Sequence, residues 1–452
     1  MIGKKAHSLA KELWPINRSL TGEGVRNTLK IIKKKIPELQ IHSVKTGKQV
    51  FDWTVPKEWH VTEAWIKSPN GKKICDFKNN NLHLVGYSCP VHLKLSKEEL
   101  IKKIYTIPKM PNAIPYMTTY YKRDWGFCLT ENQKKTLPKG LYEVCIKSKL
   151  FKGVLNYGEL LIKGSSDKEI FLSTYICHPS MANDQLSGIC VTTFLADWIK
   201  RKKNKKYSFR IVFIPETIGS IVYLSKNLNY MKKKIIAGFN IACVGDEKNY
   251  SYLPSRSGDT LSDKIAQHVL KNIDKNYVKF NWSDRGSDER QYCAPNVDLP
   301  VASIMRTKYG FYKEYHTSLD NLDKVVTEKG LEGGYEVLRL AIEAIENNFY
   351  PETNILGEPQ MGKRDLFPKT EKKYHKDKTS TKSGRRNFLS LKHQNDFYHL
   401  MMNTISWSDG KHSLLEIAEK CVVPIWTLYP IIEVLKKNKI IKINRVIKKN
   451  NN

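Results

Sequence analysis

Three short stretches of the chain carry side chains that could do chemistry together. The first, Cys177-His178-Pro179-Ser180-Met181-Ala182-Asn183-Asp184-Gln185-Leu186-Ser187-Gly188, sets an imidazole and a carboxylate between an apolar, β-prone run and an amphipathic helical one. Both are metal-ligating groups, and in open α/β sheets ligands collect at the carboxyl ends of strands, where His178 falls. Asp184 also stands where a helix N-cap would. The second stretch, Phe213 to Ser220, puts Glu216 at the carboxyl end of the next strand. A glutamate there can take a proton from a polarised water, or it can cap the following helix or pair with a surface lysine. The third, Tyr315 to Asp323, brings His316 ahead of the last long helix of this region, with Ser318 and Asp320 as ordinary capping candidates. Each stretch alone is explained as well by capping as by catalysis, and their conjunction points to a site. Two loops could line a pocket beside it. Ser283 to Arg290 offers Asp288 and Arg290, and Leu253-Pro254-Ser255-Arg256 offers a further guanidinium. An arginine facing the site would suit a carboxylate or phosphate, while a solvated surface loop accounts for these residues equally well.

The elements that must position these residues follow from periodicity. Lys5 to Lys35 reads as helix on either side of a Pro-Ile-Asn-Arg-Ser-Leu-Thr-Gly turn. From Ile41 to Cys89 short apolar runs alternate with turn signals, which predicts a small β-rich unit. Glu159 to Ile162, Glu169 to Cys177, Phe209 to Ile214, Ile235 to Val244 and Leu299 to Met305 read as buried strands. With helices at Leu186 to Lys200 and Glu332 to Asn347 between and after them, they predict a mostly parallel, helix-covered sheet. Arg364 to Arg386 is a lysine-rich stretch that reads as a connector or as a solvated surface arm. Beyond it, Asp396 to Asn403, Leu414 to Lys420 and Trp426 to Lys437 read as helices and Ile440 to Val446 as a strand, the pattern of a winged helix.

The order of the three motifs resembles that of the co-catalytic zinc aminopeptidases and their glutaminyl cyclase relatives, over about residues 154 to 348. More closely, the chain resembles an aminopeptidase-like family, often encoded near polysaccharide-biosynthesis genes, that carries an inserted β-rich domain and a C-terminal winged helix. The segments Trp14-Pro15-Ile16-Asn17-Arg18-Ser19-Leu20-Thr21-Gly22 and Tyr121-Lys122-Arg123-Asp124-Trp125-Gly126-Phe127-Cys128 carry that closer likeness. The resemblance implies an α/β, three-layer, phosphorylase/hydrolase-like mixed sheet. It implies a catalytic domain from 1–40 and 115–350, an insertion at 41–114, a linker at 351–387 and a winged helix-turn-helix domain at 388–452. By matching position, His178, Asp184 and His316 would be metal ligands and Glu216 the base that accepts a proton from water and passes it to the leaving amine. The chain departs from the pattern at three places. Thr217 stands where a second glutamate is expected, Ser180 where an aspartate would orient His178, and Ala242 where an aspartate ligand is expected. Asp246 lies four residues on as a substitute ligand or as an anchor for a substrate amine. Three remaining ligands and an open position predict one zinc ion rather than two.

At 452 residues the chain is long enough for two or three domains. The net charge of +31 would suit a polyanion partner, but lysine is spread along every segment, which favours a general compositional bias over a dedicated site. The nine cysteines include no Cys-x-x-Cys pair, and no run approaches a membrane span or a signal-peptide core, so the expectation is a cytoplasmic protein with reduced thiols. The leading functional reading is a zinc-dependent amide hydrolase acting on a small peptide or an aminoacylated sugar. The alternative is a degenerate ligand-binding regulator whose winged helix contacts nucleic acid or a protein, and acyl transfer or cyclisation is a third. The basic C-terminal end, with Lys436, Lys437, Lys439, Lys442, Arg445, Lys448 and Lys449, suits phosphate contact, but a protein-interaction or homo-oligomer role is favoured.

Overall fold

The computed structural model describes residues 1–120, 122–366 and 391–444. The chain divides into two compact units, Met1–Ile342 and Glu343–Asn452.

The first unit is built on an eight-stranded mixed sheet. Its centre is parallel: Ser208–Ile214, Glu169–Tyr175, Ile235–Asn240 and Val301–Met305 lie side by side in that order. The first two of these are buried at every position, as expected of strands covered on both faces, and this is why they read as continuous apolar runs. The edges are antiparallel. Val154–Ile162 pairs with Ser208–Ile214, and Gln40–Lys45 pairs with Val154–Ile162. On the other side Ser251–Leu253 runs antiparallel to Val301–Met305 and parallel to Val278–Lys279. Helices Ile2–Leu13, Glu23–Lys35, Gly188–Arg201, Ile218–Lys234, Leu261–Ile273 and Glu328–Glu346 accompany the sheet. One close approach is set by Gly188 at the start of its helix. A Cβ there would lie 2.5 Å from the carbonyl oxygen of Ile241, so the helix can seat against the neighbouring strand end only with glycine at this position.

A second, four-stranded antiparallel sheet, ordered Lys73–Asp76, Glu58–Lys67, Leu141–Phe151, Val91–Ser96, sits in the same unit. This shifts the range of 41–114 expected for the β-rich insertion at both ends. Gln40–Lys45 belongs to the large sheet, because its partner is Val154–Ile162. The longest strand of the small sheet, Leu141–Phe151, lies beyond residue 114 and joins the small sheet to the large one through a two-residue turn to Val154.

The second unit contains helices Leu391–Ser406, Leu414–Lys420 and Ile425–Lys437 and a two-stranded antiparallel sheet of Tyr350–Thr353 with Ile441–Asn444. Residues 351–353 are therefore part of this module rather than linker, held by their pairing with the last strand. Most of the lysine-rich stretch 364–386, and Arg445, Lys448 and Lys449, lie outside the described residues. Among the described residues no helix is long and apolar enough to cross a membrane.

Candidate metal centre

His178 and Glu216 leave the carboxyl ends of adjacent parallel strands, which places them side by side. Asp184 sits in a wide turn, Ala182–Ser187, with φ −99° and ψ 63°, just ahead of the Gly188–Arg201 helix. It does not cap that helix, which has no side-chain cap bond at its start. Its carboxylate points instead toward the two histidines. Nε2 of His316 is 3.0 Å from Asp184 Oδ2, and Nε2 of His178 is 3.9 Å from the same oxygen. One ligand atom from each of His178, Asp184 and His316 lies within 4.8 Å of the others. Glu216 Oε2 is 3.8 Å from His178 Nε2, so the carboxylate faces the same point from the side.

The site is held from several directions. Tyr175 donates its hydroxyl to Asp184 Oδ1, leaving Oδ2 turned to the histidines. Asp320 accepts the backbone N–H groups of Asn183 (2.7 Å) and Asp184 (3.0 Å), together with the hydroxyl of Tyr312 (2.9 Å), and so fixes the turn that carries the Asp184 ligand atom. Arg18, buried to 1% exposure, donates from Nε to the carbonyl of His178 at 2.8 Å. Ser287 donates to Glu216 Oε1 at 2.8 Å, which leaves Oε2 free to face the cavity. The His316 ring stacks on Tyr315 at 3.9 Å between centroids and meets Tyr116 edge-on at 5.1 Å. Backbone strain collects here as well, since Ser180, Thr217, Cys243 and His316 all have positive φ, the costly region for residues with a Cβ.

Burial lowers the pKa of His178 to about 4, with the Asp184 carboxylate opposing the drop and His316 adding to it. The imidazole is thus neutral and its lone pair available. Burial raises Asp184, but the facing imidazoles of His178 and His316 and the hydroxyl of Tyr175 more than offset it, so Asp184 ends below the usual aspartate value. Glu216 is pushed well above the usual glutamate value by burial and then by the carboxylates of Asp288 and Asp184. Asp288 and Asp320 are each raised to about 7, chiefly by burial.

A cavity of about 380 Å³ opens over these groups. Its wall includes Tyr116, Tyr120, Leu20, Trp53, Thr217, Arg290 and Gln291. Of the loop residues singled out in the sequence, Arg290 reaches the cavity, with Nη2 2.8 Å from Thr217 Oγ1. Asp288 lies beneath it, accepting from the amide of Thr217 (2.7 Å) and the hydroxyl of Ser220 (2.8 Å). Arg256 is elsewhere, in an exposed ion pair with Asp298. Asp246 is not brought to the histidines either. Its two oxygens accept from Asn183 Nδ2, the Lys248 amide, and both the amide and hydroxyl of Thr307 at 2.7–3.0 Å, so it braces the turn before Asp184 rather than offering a ligand. Ser180 does not orient His178, because its hydroxyl donates to the carbonyl of Trp14 and accepts from Asn81. The group near His178 Nδ1 is the thiol of Cys177, at 3.6 Å. Tyr175 and Arg18 were not legible as site residues, and Ser287 lay in the loop expected to line the pocket without being singled out. Arg18 lay in a segment notable only for resemblance, and a tyrosine at the end of a buried strand carries no signal distinguishing it from core.

Residues 7–348 match the family model of a domain of unknown function, DUF4910, and residues 348–443 match a winged helix-turn-helix model. A Clostridium acetobutylicum protein, provisionally named a polysaccharide biosynthesis protein with an aminopeptidase-like domain, is 44% identical over 421 residues, covering 92% of this chain and 91% of its own length. A crystal structure from the same organism, provisionally described as a peptidase, superposes with a TM-score of 0.88 at 41% identity over 98% of this chain and 96% of that one. A zinc aminopeptidase of Bacillus subtilis superposes with a TM-score of 0.53 at 12% identity, covering 76% of this chain and 94% of that one, a likeness of fold. The chain belongs to the DUF4910 family of aminopeptidase-like proteins, here joined to a C-terminal winged helix-turn-helix domain.

Proposed function

We propose that the first unit is a zinc-dependent amide hydrolase that uses one metal ion and cleaves a small peptide or an aminoacylated sugar. The observation that carries this reading is the convergence of His178, Asp184 and His316 within 4.8 Å, with Glu216 beside them at the edge of a cavity. The donor set fits the metal. Two imidazoles and a carboxylate are a known catalytic zinc set, and His316 Nε2 is buried without a hydrogen-bond partner although it lies 3.0 Å from Asp184 Oδ2. Two close atoms not aligned for a hydrogen bond suit a common third partner. A single ion is favoured because Thr217 and Ala242 remove carboxylates the wider family supplies, and because the Arg290 guanidinium sits against Thr217 Oγ1.

A zinc ion here would supply Lewis acidity and make a nearby water acidic enough to react near neutral pH. The rest is done by the chain. Glu216 accepts the proton of the attacking water through Oε2 and returns it to the leaving amine, while the Ser287 hydroxyl on Oε1 keeps the carboxylate turned inward. Tyr116 lies against both histidines and lines the cavity, where its ring would contact the substrate. The link of a relative's name to polysaccharide biosynthesis supports a sugar-linked amide as substrate.

A panel of aminoacyl anilides and aminoacylated amino sugars, assayed with zinc-loaded protein, tests the activity. Turnover that is abolished by Glu216→Gln while bound zinc is unchanged supports the reading. Equal activity in that variant contradicts it.

A further inference from the structure

The Tyr121 to Cys128 segment has no part in the chemistry above, yet two of its cations line a second cavity, of about 460 Å³, next to the first. Lys57, Lys122 and Arg123 line it together with the rings of Tyr87 and Tyr120. The carboxylates that flank these cations in sequence are engaged elsewhere. Glu58 pairs with Arg26 at 2.6 Å, and Asp124 pairs with Lys103 at 2.6 Å. No acidic residue lines the cavity, and none of its three cations makes an ion pair among the described residues. The described residues beside Tyr121 are nonetheless held by backbone hydrogen bonds. The Lys122 amide bonds to the carbonyl of Thr119, the Thr119 amide to that of Gly86, and the Cys89 amide to that of Asp124.

The two cavities share Tyr120. Its hydroxyl is 2.9 Å from that of Tyr116, and the Tyr116 ring lies 5.2 Å from His178, while on the other side Tyr120 meets Tyr87 edge-on at 5.2 Å. A continuous aromatic wall thus runs from the metal-binding residues to the three cations.

We propose that this second cavity is an anion subsite that takes a phosphate or diphosphate ester on the part of the substrate remote from the scissile amide. Three cations that no carboxylate meets at ion-pair distance, with Asp124 near Lys122 already paired to Lys103, match the charge of about −1.5 to −2 on a phosphate monoester better than the single charge of a carboxylate, and the guanidinium fork suits phosphate oxygens. The aromatic lining suits the ring that would bear the ester. The placement of the ester relative to an amide rests on the hydrolase reading, whereas the binding of the anion does not.

Calorimetric titration of the full chain with inorganic pyrophosphate, and separately with inorganic phosphate, tests it. Saturable binding, weakened at least tenfold by Lys122→Gln with Arg123→Gln and unchanged by Lys33→Gln with Lys34→Gln on an exposed helix face, supports the subsite. Pyrophosphate should also slow alkylation of Cys89, which lines the cavity, without slowing that of Cys421. Absent binding by the native chain, an equal loss in the control pair, or binding that survives the Lys122 and Arg123 changes, as it would if the anion sat on a metal, overturns it. Zinc content is read separately, so failure here leaves the metal assignment to stand or fall by its own measurement.

Discussion

The side chains of His178, Asp184 and His316, the ligands proposed for the metal, are placed by groups that would not touch it themselves. Tyr175 orients Asp184 by a single hydroxyl, and partners of this kind tune affinity strongly. Tyr175→Phe is expected to weaken zinc binding roughly 10–100-fold, read by competition with a chromogenic chelator, with little change in fold. Wild-type affinity in that variant would remove Tyr175 from the account. Asp288 gives a prediction in pH. Its pKa is raised to about 7, so between the ordinary aspartate value and about 7 the folded state holds a proton that the unfolded chain has released. The unfolded state therefore binds fewer protons in this window, and the contribution of Asp288 to stability falls as pH rises through it. In metal-free protein, Asp288→Asn should become progressively less destabilising relative to wild type from pH 4 to pH 7, followed by urea unfolding. A difference that is flat in pH would show that Asp288 does not titrate in this range.

At the scale of elements, the parallel centre of the sheet was legible because its strands are buried on both faces and read as unbroken apolar runs. Glu169–Tyr175 and Ser208–Ile214 match expectation within a residue or two, and with them the adjacency of His178 and Glu216. The edges were not legible. Gln40–Lys45 is largely solvated, and its membership of the large sheet depends on a partner more than a hundred residues away, which local pattern does not encode. For the same reason Leu141–Phe151 was not read as the long strand of the small sheet. Within the site, the residues in motifs were legible, but the engagement of Asp246 by Thr307 and Asn183 was not, since it arises from three segments meeting. Gly188 shows how tightly these elements are fitted. Gly188→Ala would push a Cβ to 2.5 Å from the Ile241 carbonyl, where backbone must move, and should cost about 1–3 kcal/mol in chemical denaturation. A cost near zero would mean that the helix start can shift freely.

For the whole molecule, two units are joined in one chain, and the second has a winged-helix pattern whose partner we take to be a protein rather than nucleic acid. The helix Ile425–Lys437 begins Ile-Trp-Thr-Leu-Tyr-Pro, without the Arg, Asn or Gln that read base edges, and Lys436 and Lys442 pair with Glu433 and Glu352. At moderate salt the full chain should show no sequence-selective retention of duplex DNA in a gel-shift assay. Selective retention lost on deleting residues 388–452 would favour the regulator reading instead. The reduced, one-metal centre proposed for the first unit is open to elemental analysis. Purified native chain equilibrated with zinc and then dialysed should retain about one zinc per chain, and the His178→Ala, His316→Ala double variant should retain none. A native chain that holds no zinc, or a double variant that still holds it, would contradict the assignment.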